Sequence, residues 1–519
     1  MKAFKYFVYA TSLSISGLLT ASCKEDVLYI PPVANNTVDE FYKDENQVNQ
    51  GVMAIYNGCL SLPENSYWFL AEFRSDNVAA DVATVQRDYS DVSNFNATSQ
   101  TPQLQATWTD LYEIVYRANV LQERIQPFTF ARVEQFKGEA RFLRALAYFD
   151  LVRYWGAVPI VDKPVGIEES KNVPRSPVAD VYKFIVDDLT FAAENLPSSY
   201  VITVGTATDA TNKGRATKWA AKALLGKVYL TMYGYPLRQT SALPLAKKEL
   251  MEVYAAAGAN TFSVAPNFAD LFKAANDNKY AVFELQYISG GTGLGNPIPW
   301  QQGQVFPTFW SPFPAFAADF TLPPALFGAN WPKIDKRKAA TLDSAIRNPT
   351  TGAIVAGRPQ LTKFLEKGIT AIQNRTDYPN NFPIIRFEDV VLMYAEVLNE
   401  EAGSPPAMAL TLINQIRKRS GISEYTAASP EAATKEAFRA AVLKERRYEF
   451  IAEGQRWHDL VRTGNAISVM TAFKRSTTGT TATGGANFRQ LDEHDLLFPI
   501  PILELRLNPG FWEQNPGYN

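Results

Sequence analysis

The sequence predicts an all-α fold, an irregular array of paired helices interrupted by long loop insertions rich in aromatic residues, proline and glycine. Three observations support this. Apolar residues recur at helical spacing through segments on both sides of the chain's middle, small residues alternate with large ones inside those segments, and the periodicity is lost between about residues 260 and 385.

The elements follow in chain order. The first 22 residues place Lys2 and Lys5 ahead of an uncharged, mostly apolar stretch that ends in small residues. This is the pattern of an export signal, too short and too rich in Ser and Thr for a membrane-spanning helix. Cys23 comes next. The segment LTASC resembles the lipobox of bacterial lipoproteins, with Thr20 where leucine is usual and Leu19 one place earlier. Acylation of Cys23 would hold the protein on a membrane by its acyl chains. Removal of residues 1–22 leaves 49 Lys and Arg against 53 Asp and Glu, a formal charge of -4. It also leaves only Cys23 and Cys59, so with Cys23 lipidated no intrachain disulfide is expected. Residues 23–40, through Lys24-Glu25-Asp26 and Pro31-Pro32, read as a tether, and residues 41–519 as one domain.

Within that domain, Phe136, Ala140, Leu143, Ala147, Leu151 and Trp155 recur at steps of three and four, which lines them along one side of a helix. Similar patterns occupy 107–125, 178–196, 217–234, 387–403, 408–421 and 436–464, giving a helical scaffold over about 107–256 and 386–465. Ala220, Ala221, Ala223 and Gly226 sit among Trp219, Leu224, Leu225, Val228 and Tyr229, a mixture that lets neighbouring helix axes approach closely. Paired helices of this kind resemble tetratricopeptide repeats, in a degenerate form without a regular 34-residue period. Two regions are read as irregular. One spans about 62–105; the other is the insert of about 260–385, punctuated by Gly290-Gly291-Thr292-Gly293 and Pro323-Pro324.

Composition excludes several functions. With 46% hydrophobic and 20% charged residues the chain is globular, and its near-neutral balance offers no basic field for nucleic acid. The two histidines, His458 and His494, stand in no metal-ligand spacing, and neither a GxSxG elbow nor a phosphate-binding loop occurs. Glu445, Glu449 and Glu453, four apart, fall on one helical face, where paired carboxylates are able to hydrolyse glycosides. Arg446, Arg447 and Arg456 lie close by, so ion pairing along and between helices explains them more simply, and no enzyme activity is expected.

The aromatic loops point elsewhere. Sugars lay their apolar faces on aromatic rings while Asp, Asn, Gln and Arg take the hydroxyls. Trp300 with Gln301 and Gln302, Trp310 with Ser311, Trp331 with Asn330, and Trp68 with Arg74, Asp76 and Asn77 combine such rings with polar neighbours. The same rings also suit the fastening of long loops to a core. Asp76, Asn77 and Asp81 are of the oxygen-ligand type that calcium takes, although their spacing is not that of a defined calcium loop; no other cofactor or metal is expected.

Four stretches together resemble the SusD/RagB family of outer-membrane nutrient-binding lipoproteins: the start ending at Cys23, EARFLRALAYFDLVRYWGAVPIV (139–161), ERRYEFIAEGQRWHDLVRTG (445–464) and LFPIPILELRLNPGFWEQNPGYN (497–519). The resemblance spans the mature chain. It implies a lipid-anchored protein exposed at the outer-membrane surface, which binds oligosaccharide or polysaccharide and delivers it unchanged to a SusC-like TonB-dependent transporter. Peptide capture is the alternative within the family, and a protein-interaction scaffold a third reading. The resemblance also implies that loops around Trp68–Asp81 and Trp300–Trp331 form the ligand site. Glu445, Arg446, Arg447 and Glu449 belong to the scaffold signature.

Overall fold

The helical periodicity is realised element by element in the computed structural model of the chain, which describes residues 41–80, 87–200, 202–204, 207–209, 213–258, 262–302, 320–323, 330–348, 350–356, 360–366, 369, 372–476 and 488–518. The chain divides into two compact units, Met1–Asn49 and Gln50–Asn519. The described part of the first is residues 41–49, which include the start of helix α1 (Glu45–Gly58). The export signal, the tether and Cys23 lie outside the described residues.

The second unit begins its scaffold with α2 (Pro102–Arg124), α3 (Val133–Trp155), α4 (Val178–Asn195), α5 (Lys218–Tyr233) and α6 (Ala242–Ala256), each packed on the one before it. Pro102 opens α2 where a missing N–H costs nothing. The Thr217 side chain caps α5 by accepting the Ala220 N–H. The apolar stripe of α3 is wholly buried, and burial extends well beyond the stripe because α2 covers one flank and α4 the other. Small residues bring helices together as the sequence suggests: a Cβ on Gly226 would stand 2.7 Å from Leu250 Cγ on α6.

The next partner of α6 lies some 130 residues further along the chain. It is α7 (Phe387–Ala402), which in turn packs against α8 (Ala407–Arg419) and α9 (Lys435–Glu449); α10 (Arg456–Arg462) and α11 (Ala466–Ser476) complete the array. The scaffold is therefore continuous across the insert. Strands β1 (Ala79–Ala80), β2 (Ala281–Leu285), β3 (Phe320–Thr321) and β4 (Phe382–Arg386) form two antiparallel ladders, β1 with β3 and β2 with β4. The second closes the neck of the insert, and β4 leads directly into α7. The fold is all-α, and among the described residues β structure is confined to such short pairs.

The region 62–105 is more regular than its sequence suggests. Pro63–Glu72 forms a π-helical segment and Arg87–Ser93 an α-helix. The π-helix escapes a 3.6-residue reading because its turn is wider and because Ser66–Glu72 are all buried, which erases any amphipathic stripe.

Ion pairing does account for the three glutamates, although through other partners than their sequence neighbours. Glu449 is bound by Arg386 (2.8 Å), Arg419 (2.5 Å) and Arg337 (3.3 Å), Glu445 by Arg337 and Arg417, and Glu453 by Arg386 and Lys363. Glu453 also lies past the end of α9, in the turn that follows it, and so does not share the helical face of the other two. Burial alone would raise the Glu449 carboxyl, but the guanidiniums of Arg419, Arg386 and Arg337 hold it well below the usual carboxylate range. Arg446 instead binds Asp389 and Asp459. Cys59 is a buried free thiol, pushed up to about 12 by burial.

Candidate functional site

The β1–β3 ladder joins the two irregular regions. Ala79 pairs with Thr321 and Ala80 with Phe320, so residues 77–80 of the early region and 320–322 of the insert lie side by side. The described residues supply the foundation of that junction.

Two neighbouring side chains of α9 hold the foundation together. Arg447 donates from Nε to Asn77 Oδ1 (2.9 Å) and from Nη2 to the Asp76 carbonyl (2.6 Å), just ahead of β1. Tyr448 stacks on Trp331, ring centroids 4.8 Å apart, and both rings pack with Leu322 just after β3. Trp331 Nε1 donates to Asp335, and the Tyr448 hydroxyl donates to the Asn330 carbonyl. One turn of helix thus pins both strands from below.

Glu72 closes the same layer. Its buried carboxylate accepts the N–H groups of Ala452 (2.8 Å) and Gly454 (3.0 Å) and the Asn77 amide (2.9 Å), and burial pushes its pKa up against these donors. Ala452 and Gly454 both have left-handed backbone, with φ of 66° and 71°. Gly454 is required there twice over, since a Cβ would lie 2.6 Å from Tyr67 Cβ.

The residues expected to face a ligand are mostly part of this inner layer. Trp68, Arg74, Asn77 and Trp331 are at most 2% exposed, and Asp76 and Trp300 are 6% exposed. Trp68 meets Phe73 edge-on. Arg74 is enclosed by the Phe95, Phe498 and Trp457 rings and donates to the Asp495 carbonyl. Asp76 is salt-bridged to Arg447 and Arg456; burial would raise its pKa, but the two guanidiniums outweigh it and hold the carboxyl low. Its oxygens are engaged by cationic side chains, an arrangement that does not favour a calcium role. Trp310 and Asp81 lie outside the described residues.

Trp300 borders the surface. One part of its ring packs with Leu365, Ile372 and Tyr378, while the exposed Arg375 guanidinium lies 4.5 Å from its centroid. Next to it Gln301 donates to Glu64, and Asn65 donates to Asp110 (2.7 Å) while accepting from Gln103 (3.0 Å). Burial raises the Glu64 pKa despite the Gln301 bond and the charge of Arg375. Glu64, Asn65, Gln103, Asp110 and Gln301 are all half-buried. These planar amides and carboxylates beside an aromatic ring have the chemistry needed to exchange water for sugar hydroxyls. Sequence reading missed all of them except Gln301. The available signal was Gln103 and Asp110, seven apart on α2 and hence on one face.

A profile of the SusD family matches residues 238–518, and one described as starch-binding associating with outer membrane matches residues 34–230. The chain belongs to the SusD family. A SusD-like protein from Formosa agariphila is 26% identical over 96% of this chain and 97% of its own. A SusD homolog from Bacteroides thetaiotaomicron shares the fold at a TM-score of 0.78, with 24% identity over 93% of this chain and 97% of that one. A structure titled laminarin binding SusD-like protein is 27% identical, with a TM-score of 0.71, and covers 92% of this chain and 100% of its own.

Proposed function

We propose that this protein is a cell-surface glycan-binding lipoprotein, anchored in the outer membrane through Cys23, which captures oligosaccharides and passes them unaltered to a SusC-like TonB-dependent transporter. The observation that carries the glycan reading is the β1–β3 ladder, which pairs the early region with the insert, while Trp300, Arg375 and the half-buried amides and carboxylates add ring-and-polar chemistry from the same two regions. The likeness to a laminarin-binding relative over nearly the whole chain supports it, as does the starch-binding description of the N-terminal match.

Capture without chemistry is consistent with the ionised side chains. The Glu445, Glu449 and Glu453 carboxylates are bound by guanidinium and ammonium groups inside the scaffold. A preformed site would limit the ordering entropy that weakens sugar binding, and lipid attachment would keep the protein beside its transporter at high effective concentration. Trp310 remains a proposed platform, together with Trp300.

The test is affinity electrophoresis of the mature protein through laminarin, starch and other polysaccharides, with a peptide panel followed by calorimetry. Retardation in a glucan supports the reading. Heat from peptides with no retardation in any glycan assigns the site to peptides instead.

A further inference from the structure

Residues of the three later segments that carry the family resemblance, 139–161, 445–464 and 497–519, line a cavity of about 280 Å³. Its wall is mainly apolar, with Val152, Tyr182, Val461, Leu497 and Pro516 among the lining residues. His458 also lines it; this side chain is 8% exposed, and its Nε2 has no hydrogen-bond partner.

We propose that this cavity is a second ligand site, selective for a small uncharged aromatic molecule bearing one hydroxyl or N–H, of the class of phenols and indoles. An apolar cavity of roughly 150 Å³ already admits a benzene ring, so the space suffices for a ring with a substituent. Apolar walls favour such a ligand because its faces leave water on entry.

The wall also argues against other classes. Arg153 is engaged by Asp150 and the Phe149 carbonyl, and Arg462 by Glu396 and Asp459, so an anionic ligand would meet no uncompensated guanidinium. A sugar would bring several hydroxyls to a wall with few free polar groups, and each one left unpaired is costly. One hydroxyl or N–H matches one imidazole nitrogen. Burial, with the charges of Arg153 and Lys227, holds His458 neutral, so the ring offers one donor and one acceptor. Tyr235, half-buried, and Glu493, exposed, also line the cavity.

Calorimetric titration of the mature protein with p-cresol and with indole tests the site, with benzoate and glucose as comparisons. Saturable one-site binding of p-cresol or indole is expected, with none for benzoate or glucose. Leu497→Trp fills the cavity and lowers affinity at least tenfold, while glycan retardation stays unchanged; Val178→Trp, at the cavity edge, serves if that variant does not fold. His458→Phe lowers affinity about tenfold, the worth of one hydrogen bond. Absence of saturable binding at millimolar ligand overturns the proposal. So does benzoate binding equal to that of p-cresol, or p-cresol binding unaffected by both tryptophan substitutions in folded protein.

Discussion

Arg447 Nε lies 2.9 Å from Asn77 Oδ1, a bond between residues 370 positions apart in the chain. It ties the last turn of α9 to the entry of β1, with Tyr448 performing the matching task for β3 through Trp331. The aromatic and polar residues near residue 76 therefore read differently in three dimensions than in sequence, since their partners come from the far end of the chain.

Arg447→Met removes that tie and leaves Asn77 and Asp76 short of a donor. A loss of about 1–3 kcal/mol is expected in urea denaturation, together with weaker glycan retardation. Arg447→Lys does not restore either, because an ammonium cannot serve the Asn77 and Asp76 oxygens in the same forked geometry. Full rescue by lysine would argue that charge alone matters here.

Trp300 and Arg375 separate loop packing from ligand contact. Trp300→Ala opens a void beside Leu365, Ile372 and Tyr378 and is expected to cost about 3–5 kcal/mol. Arg375→Ala removes an exposed guanidinium that lies over the Trp300 ring, so a cost of only about 0.5–1 kcal/mol is expected, far below that of Trp300→Ala, together with lower affinity for the retained glucan. Unchanged affinity in a folded Arg375→Ala protein would remove this residue from the site.

Acid sensitivity follows from Glu449. Its folded-state pKa is depressed below the ordinary 4.5 by Arg419, Arg386 and Arg337, which together outweigh burial. The stabilisation is thus complete above about pH 5 and is lost as pH falls through the folded-state value. Glu449→Gln, which leaves the three cations without this counter-charge, is expected to cost about 3–5 kcal/mol at pH 7 and to flatten the dependence of stability on pH below 4.5. Stability curves for both proteins between pH 3 and 7 provide the check.

Lys474 gives the same sign of pH dependence at higher pH, from a buried charge that costs stability where Glu449 adds it. The side chain is buried against Ser93 and Asn94, and burial lowers its pKa to about 7 from 10.5. The unfolded chain binds this proton more readily, so stability should rise with pH across that interval and change little below it. Lys474→Met is expected to remove the rise and to raise the melting temperature at pH 7. A wild-type melting temperature that does not rise, relative to the variant, between pH 7 and 9.5 would contradict this.

The scaffold was legible in sequence where one helical face is apolar, as along Phe136 to Trp155. It was illegible where a helix is buried all round, as at Pro63–Glu72, because no stripe survives. That the early region and the insert come together was legible, since they pair at β1 and β3. Individual residues were not. Trp68, Asp76 and Trp331 have the ring-and-polar composition of a sugar platform, but that composition equally serves an inward network, and only the positions of Arg447, Tyr448 and Arg456 decide between the two. Glu64 and Asn65 went unnoticed because their companions Gln301 and Asp110 are remote in sequence.

Because α6 meets α7 directly, the insert behaves as a cassette spliced into a scaffold that already closes without it. Lengthening a closed loop adds only about 0.6 kcal/mol of entropy per doubling, so an insert of different length is tolerated at little thermodynamic cost. The exchange carries one condition. Arg337 and Lys363 belong to the insert yet neutralise Glu445, Glu449 and Glu453 in the scaffold. A transplanted cassette must therefore bring its own two buried cations, and a chimera lacking them should fail at the graft however well its new loops recognise a sugar.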